Sequence, residues 1–301
     1  MHQPIVTIGL PTFNAETTIN RALESILDQS YGRWVLNISD DNSTDDTKKI
    51  ISTYAASFPD RIKILNSREK LYYMNFRHLL DSAQTPYFVW LAGDDWWEPT
   101  FLEDCINKLE ADPNAVCCVG RCLFHNPDGS SYRDPGCEPL VGDMAERMSV
   151  YLRAPDQTRM YGIFRHEVLT ASFPPAPFHA YDWALCLGTL RFGTHLTVDK
   201  HLMNREKSPT RSYLEAVKRD EPNLFYQLFP ILRMSLWLIR TRTATSDALV
   251  FFKLLRLNIS KHEQQVKFFN PRVFQMLRPL YWMVQKSISL GERSVRAWRQ
   301  R

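Results

Sequence analysis

Two pairs of adjacent carboxylates, Asp40-Asp41 and Asp94-Asp95, are the residues of this chain whose type and placement first suggest chemistry. Each pair follows a short apolar run: Asp40-Asp41-Asn42-Ser43 comes after Trp34 to Ser39, and Gly93-Asp94-Asp95-Trp96 after Tyr87 to Leu91. Neighbouring acids at a buried strand end repel one another, which costs energy unless a cation or a hydrogen-bond donor is shared between them. A divalent cation would resolve the repulsion. Mg²⁺ and Mn²⁺ prefer oxygen ligands and commonly take one or two carboxylates together with phosphate oxygens, which fits a nucleotide carrying a diphosphate. The same pairs would also serve simply to cap the turns and helices that follow.

The first half of the chain has the elements to position such groups. Apolar runs at Ile5 to Leu10, Trp34 to Ser39, Ile62 to Leu65, Tyr87 to Leu91 and Ala115 to Phe124 read as strands. They alternate with amphipathic stretches, the pattern of a mainly parallel sheet with crossover helices. Thr17 to Leu27 carries the buried stripe of one helix, Ser43 and Asp46 have the spacing of a capping box for a second, and Pro99 opens a third. Asn126 to Pro139, rich in Pro, Gly, Asp and Ser, reads as a surface loop or hairpin. In an open parallel sheet ligands lie beyond the carboxyl ends of the strands. Pro11-Thr12-Phe13-Asn14, Asp40-Asp41 and Asp94-Asp95 all fall at such ends.

In order and spacing these segments resemble the family 2 inverting glycosyltransferases of GT-A fold. Pro11-Thr12-Phe13-Asn14 looks like their Pro-x-aromatic-Asn segment, Asp40-Asp41-Asn42-Ser43-Thr44-Asp45 like their Asp-Asp-[Gly/Asn]-Ser-x-Asp, and Asp94-Asp95 like their acidic metal motif. The resemblance covers residues 4 to 210. It implies a Rossmann-like α/β sheet and a nucleoside-diphosphate sugar donor of UDP or dTDP type. Pro11, Phe13, Asn14, Asp40 and Asp41 would hold the base, Asp94 the ribose or sugar, and Asp95 the Mn²⁺ or Mg²⁺. The chain departs from the pattern at Ala92, where many relatives have a further Asp, so the metal motif is shortened. An inverting transfer also needs a base for the acceptor hydroxyl. Tyr181-Asp182-Trp183 resembles the family's base motif, with Tyr where many have Glu, and so implies Asp182. Asp182 would equally cap the helix expected over Trp183 to Leu190. Gly193 to Val198 and Asn204-Arg205-Glu206 resemble the family's closing strand and its Arg-bearing loop, which would set Arg205 on the diphosphate. Arg68 is a further nucleotide candidate, and Trp96, Trp97 and Trp183 could stack on sugar rings or pack in the core.

The implied activity is sugar transfer to a glycan or lipid-linked acceptor in surface-glycan synthesis. Two alternatives stand beside it. A sugar nucleotidyltransferase would need a Gly-rich, basic first loop, and Pro-Thr-Phe-Asn follows Leu10 instead. A degenerate sugar-nucleotide-binding subunit is kept open by Ala92 and Tyr181.

Charge divides the chain. From Glu221 onward 14 Lys and Arg stand against 4 Asp and Glu, a balance of +10 within a total of +4, so the remainder is acidic at −6. We therefore expect a catalytic domain over 1–219 and a basic helical region over 220–301, with helical segments at Leu224 to Ile239, Ala248 to Leu257 and Val273 to Leu290. The first of these is too interrupted to span a bilayer. Its arginines among Phe, Leu and Trp suit packing on the catalytic body or an anionic membrane surface rather than nucleic acid. The six cysteines lack metal spacing and read as buried free thiols. With no secretory signal pattern after Met1, the expected setting is cytoplasmic, peripheral at the inner face of the cell membrane.

Overall fold

The structure is a computed structural model that describes residues 3–65, 73–207, 213–221, 223–244 and 247–299. Its strands are β1 (Val6–Thr12), β2 (Trp34–Asp40), β3 (Ile62–Ile64), β4 (Tyr87–Trp90), β5 (Trp96–Trp97), β6 (Ala115–His125), β7 (Ser131–Arg133), β8 (Ile163–Arg165) and β9 (Thr194–Glu206). Helices α1 (Ile19–Leu27), α2 (Thr47–Ser57), α3 (Met74–Asp81), α4 (Phe101–Ala111), α5 (Met144–Tyr151), α6 (His166–Ser172) and α7 (Tyr181–Thr189) come between or beside them. The last helices are α8 (Tyr213–Asp220), α9 (Leu224–Leu228), α10 (Leu232–Arg240), α11 (Ala248–Phe269) and α12 (Pro271–Arg299).

Packing divides the chain into two compact units. The first comprises Met1–Pro139, Asp156–Phe173 and Phe192–Pro209, and the second Leu140–Pro155, Pro174–Arg191 and Thr210–Arg301. Chain order and packing therefore do not share a boundary at 219/220. Residues 140–155 and 174–191 carry the apolar faces of α5 and α7, which need the later helices to cover them.

The first unit is built on a nine-stranded sheet in the order β3-β2-β1-β4-β8-β6-β9-β5, with β7 on β6. Strands β1 to β4 run parallel to their sheet neighbours among themselves, as do β6 and β9, whereas β5, β7 and β8 are antiparallel insertions. Val6, Ile8 and Leu10 on one face of β1 and Thr7 on the other are all buried, as expected of a strand covered on both sides. Helix α1 buries Ile19, Ala22, Leu23 and Ile26. The chain passes from β1 to β2 and β3 on one side and then returns to place β4 on the other side of β1. The carboxyl ends of β1 and β4 thus flank a switch in topology, where ligands of such sheets bind.

Local chemistry departs from expectation at three places. Helix α2 begins at Thr47, with Asp46 at its cap position, and Ser43 and Asp46 form no capping box: Ser43 lies ahead of the cap and its hydroxyl oxygen accepts from the Asn14 amide instead. A capping box forms at α5, where Asp143 accepts from the Glu146 amide at 2.8 Å and Glu146 from the Asp143 amide at 3.0 Å. The segment Leu224 to Ile239 is two helices, α9 and α10, parted at Pro230, whose ring and missing N–H disfavour a helix interior.

The second unit closes around Met148 of α5, Leu187 of α7, Met234 and Leu238 of α10, and Val250 and Leu254 of α11. No helix of the described residues is long and apolar enough to cross a membrane. All six cysteines are free and buried.

Gly193 marks a tight approach just before β9. A Cβ there would lie 2.1 Å from the Asn114 carbonyl oxygen, which itself accepts from the Thr194 amide at 3.0 Å. Around Gly32 there is open space. Gly193→Ala is expected to lose about 1–3 kcal/mol of stability, and Gly32→Ala to stay within about 0.5 kcal/mol of the parent. Urea titration of the two variants checks this.

Candidate active site

The loops after β1 and β2 are stitched together by side chains, among them Asn14 and Asp40, for which the resemblance implies a place at the base. Thr12 and Asp40 are paired residues at the ends of these strands, and the Asp41 amide donates to the Thr12 carbonyl at 2.8 Å. Asn14 adopts a left-handed backbone (φ 48°), which short polar side chains tolerate. From there its amide donates to the Ser43 hydroxyl at 2.8 Å, and its side-chain oxygen accepts from the Thr44 amide at 2.9 Å. Asp40 is largely buried and accepts from both the amide and the hydroxyl of Ser43, with the Lys48 ammonium 3.8 Å away. Asp45 takes the Glu16 amide at 3.1 Å and the Thr47 amide at 3.0 Å. These bonds fix the crevice wall before any ligand arrives. Phe13 is left exposed at its rim and Asp41 is buried.

The third loop meets the first at Gly93. Its carbonyl accepts from the Thr18 hydroxyl at 2.7 Å, and a Cβ there would press on Ala15, Ile19 and Thr12 at 3.3–3.4 Å. Beyond it Asp94 is half-buried and Asp95 is buried. Strand β5 follows at once and pairs antiparallel with β9, Trp96 opposite Asn204. Continuing that register by one residue brings Asp95 opposite Arg205, and Arg205 Nε donates to Asp95 Oδ2 at 3.0 Å. Arg205 Nη1 also donates to the Thr158 hydroxyl at 3.3 Å, and Thr158 in turn donates to Asp134. The guanidinium lies 4.5 Å over the Tyr161 ring. Arg205 therefore stands on a strand, not in the loop expected for it.

Burial is the main influence on Asp95 and pushes its carboxyl up to about 6; Arg205 pulls it down, while Asp94 adds to the rise. For Arg205, burial opposes the charge, but the Asp95 carboxylate beside it more than offsets this, and the guanidinium is held charged. Asp95 thus offers a cation a hard oxygen ligand whose negative charge is poorly solvated. Among the described residues no three His, Cys, Asp or Glu side chains gather as a ready-made cage. The residues fit a divalent ion that takes one protein carboxylate and completes its shell with diphosphate oxygens and water.

A second row of contacts, absent from the sequence reading, supports this loop. Arg21 of α1 donates to the Asp94 carbonyl at 3.1 Å, pairs with Glu206 at 2.7 Å and lies 3.7 Å over the Trp96 ring. Trp96 also lies against His125, whose Nε2 is 2.9 Å from Asn204. Trp97 is stacked in the core on Phe101, so packing accounts for it. Arg68 lies outside the described residues.

Asp182 belongs to the second unit. Helix α7 starts one residue before it, with Ala180 in left-handed conformation (φ 62°) at the cap position. Asp182 therefore sits in the first turn, where the helix's positive end favours a carboxylate, and is not the cap. Burial, and after it the Asp182 charge, raise the Tyr213 hydroxyl well above its usual range. The Lys261 ammonium of α11 lies 4.6 Å over the Tyr213 ring and 5.3 Å over that of Trp183. Trp183 itself is buried.

Comparison with known proteins gives the fold and the family. The fold is GT-A. The chain is similar to the crystal structure of Staphylococcus aureus TarS 1–349, with a TM-score of 0.57 at 16% identity, covering 98% of this chain and 91% of that one. Residues 7–173 match Glycosyl transferase family 2, and the chain belongs to that family. Among curated relatives, Bacillus subtilis EpsE, named a glycosyltransferase, is 39% identical over 108 residues, 36% of this chain and 39% of EpsE. The Escherichia coli β-1,3-glucosyltransferase WfgD is 33% identical over 110 residues, 36% of this chain and 42% of WfgD. The matched stretch thus spans about two fifths of these relatives' length. The family match ends before Asp182 and Arg205.

The Asp95 carboxyl should titrate with a midpoint near pH 6 in metal-free protein, against about 3.9 for an ordinary Asp. Arg205→Ala should raise that midpoint further, since burial stays and the lowering cation is lost. Carboxyl-carbon NMR of labelled protein reads both values.

Proposed function

We propose that this protein is an inverting glycosyltransferase that moves a sugar from a UDP- or dTDP-type donor to a glycan or lipid-linked acceptor hydroxyl in surface-glycan synthesis. One observation carries the reading: the loops of Asn14, Asp40-Asp41 and Asp94-Asp95 converge, hydrogen-bonded to one another, at the carboxyl ends of the adjacent parallel strands β2, β1 and β4. The relatives' names add support. WfgD is named a glucosyltransferase acting on a diphosphoundecaprenol-linked sugar, and one TarS structure is a complex with UDP-GlcNAc.

In this reading Pro11, Phe13 and Asn14 shape the base site, with Asp40 and Asp41 receiving the base's N–H groups, and Arg68 joins the nucleotide contacts. Asp94 orients the ribose or sugar. Asp95 would hold Mn²⁺ or Mg²⁺, which when bound supplies neutralising charge to the diphosphate oxygens. Arg205, held beside Asp95, adds a fixed positive charge where the leaving group's charge develops. Asp182 takes the proton of the acceptor hydroxyl as its oxygen bonds to the anomeric carbon. The bond from that carbon to the diphosphate breaks on the opposite face, and its electron pair leaves with the phosphate oxygen. The functional division runs at 219/220, with the basic region 220–301 serving a protein that works in the cytoplasm at the inner membrane face.

A calorimetric panel of nucleoside-diphosphate sugars with Mn²⁺ should find at least one uridine or deoxythymidine donor that binds, and product analysis should show transfer or hydrolysis. Asp95→Ala should abolish turnover. Asp182→Asn should lower kcat by roughly 10²–10⁴ while leaving donor affinity within a factor of about three. Donor binding with no turnover in the parent protein would instead favour a degenerate binding subunit, and full activity of Asp182→Asn would remove the base assignment.

A further inference from the structure

Helix α12 has two unlike sides. Its inner side packs on α11: Tyr281 is buried near the His262 ring, and Gly291 lies so close to Phe252 that a Cβ would meet that ring at 2.7 Å. The helix's single acid, Glu292, is also turned inward, paired with Lys253 at 3.2 Å and with Arg256 at 3.4 Å. The outer side exposes Met276 (80%), Leu280, Met283 and Leu290, whose steps of four, three and seven residues set them on one face. Lys286 and Arg293 are exposed beside this stripe and Arg278 and Arg296 further round the helix, and among the described residues none of them forms an ion pair. Trp282 (63%) and Trp298 (77%) stand out as well, with the Lys286 ammonium 4.8 Å over the Trp282 ring.

We propose that this outer face is a docking surface for an anionic lipid bilayer, with α12 lying along the membrane plane. Charge complementarity selects the occupant. The exposed charges of the helix are all basic because its acid is sequestered, so two copies of this face would repel one another. An apolar stripe beside a basic row is the arrangement that sinks into the boundary between headgroups and acyl chains. Exposed indoles suit the headgroup level, where one edge of the ring is apolar and the other wet. At 1.5 Å per residue the stripe from Met276 to Leu290 would contact lipid over about 21 Å. The choice of a membrane as partner rests on the reading of the basic region given above.

Flotation of the full chain with phosphatidylcholine vesicles, pure or containing a quarter phosphatidylglycerol, tests the proposal at 0.15 M salt. Binding should be at least tenfold stronger to the anionic vesicles. A quadruple variant, Arg278→Glu, Lys286→Glu, Arg293→Glu and Arg296→Glu, should lose roughly a hundredfold or more, since each basic residue near such a surface is worth about a factor of five. A triple variant, Met276→Ser, Leu280→Ser and Met283→Ser, should lose about tenfold with its melting temperature held. Should a multiple variant misfold, brominated lipid provides a second measure: Trp282→Phe with Trp298→Phe should abolish most of the quenching. Equal binding to both vesicle types, no binding, or a doubling of mass in solution that the triple variant reverses would overturn it. Vesicle binding by protein that binds no donor would sink the catalytic reading alone, and donor binding without vesicle binding this proposal alone.

Discussion

A carboxylate shut away from water is held ionised by positive charge or hydrogen-bond donors set against it, and removing one partner of a buried ion pair costs about 3–5 kcal/mol. In this chain that constraint joins Asp95 to Arg205. The two are 110 positions apart, and their strands β4 and β9 are separated in the sheet by β8 and β6. The short strand β5 closes the gap by pairing with β9 directly after Asp95. The register of two residues thus sets where a charge sits, and the order of the whole sheet is needed to bring that register about.

The other wall of the crevice depends on hydrogen bonds of a humbler kind. Asn14, Ser43 and Asp40 spend their polar groups on one another's loops, so the backbone is already in place when a ligand binds and little ordering remains to be done. The same economy keeps Ser43 from capping α2, since its oxygen already accepts from Asn14.

Periodicity and turn chemistry made much of the fold legible in the sequence. Strands β1, β2 and β4 and helix α1 lie within two residues of where apolar spacing put them, because each buries one continuous pattern. The acidic pairs were visible as interruptions of that pattern at strand ends. What could not be read were contacts set by register between distant strands: Arg21 with Glu206 or Thr158 with Asp134 leave no local trace, and Arg205 looked like a loop residue because β9 bends through polar side chains past Val198. Ser43 and Asp46 misled for a related reason, since a spacing that caps a helix in isolation is outbid when a neighbouring loop offers a better partner. The interleaving of the two units was equally hidden, because nothing in the run from 140 to 155 says which later helices will cover it.

That interleaving bears on how the protein is made. Residues 140–155 and 174–191 leave the ribosome well before α10 and α11, the helices their apolar faces are packed with. At synthesis rates of about 5–20 residues per second, Met148 waits roughly 6–24 s and Leu187 roughly 4–16 s for the completion of α11. During that interval a nascent chain carries two helices with uncovered apolar faces. The segments that complete the second unit last are therefore also the ones that end this exposure.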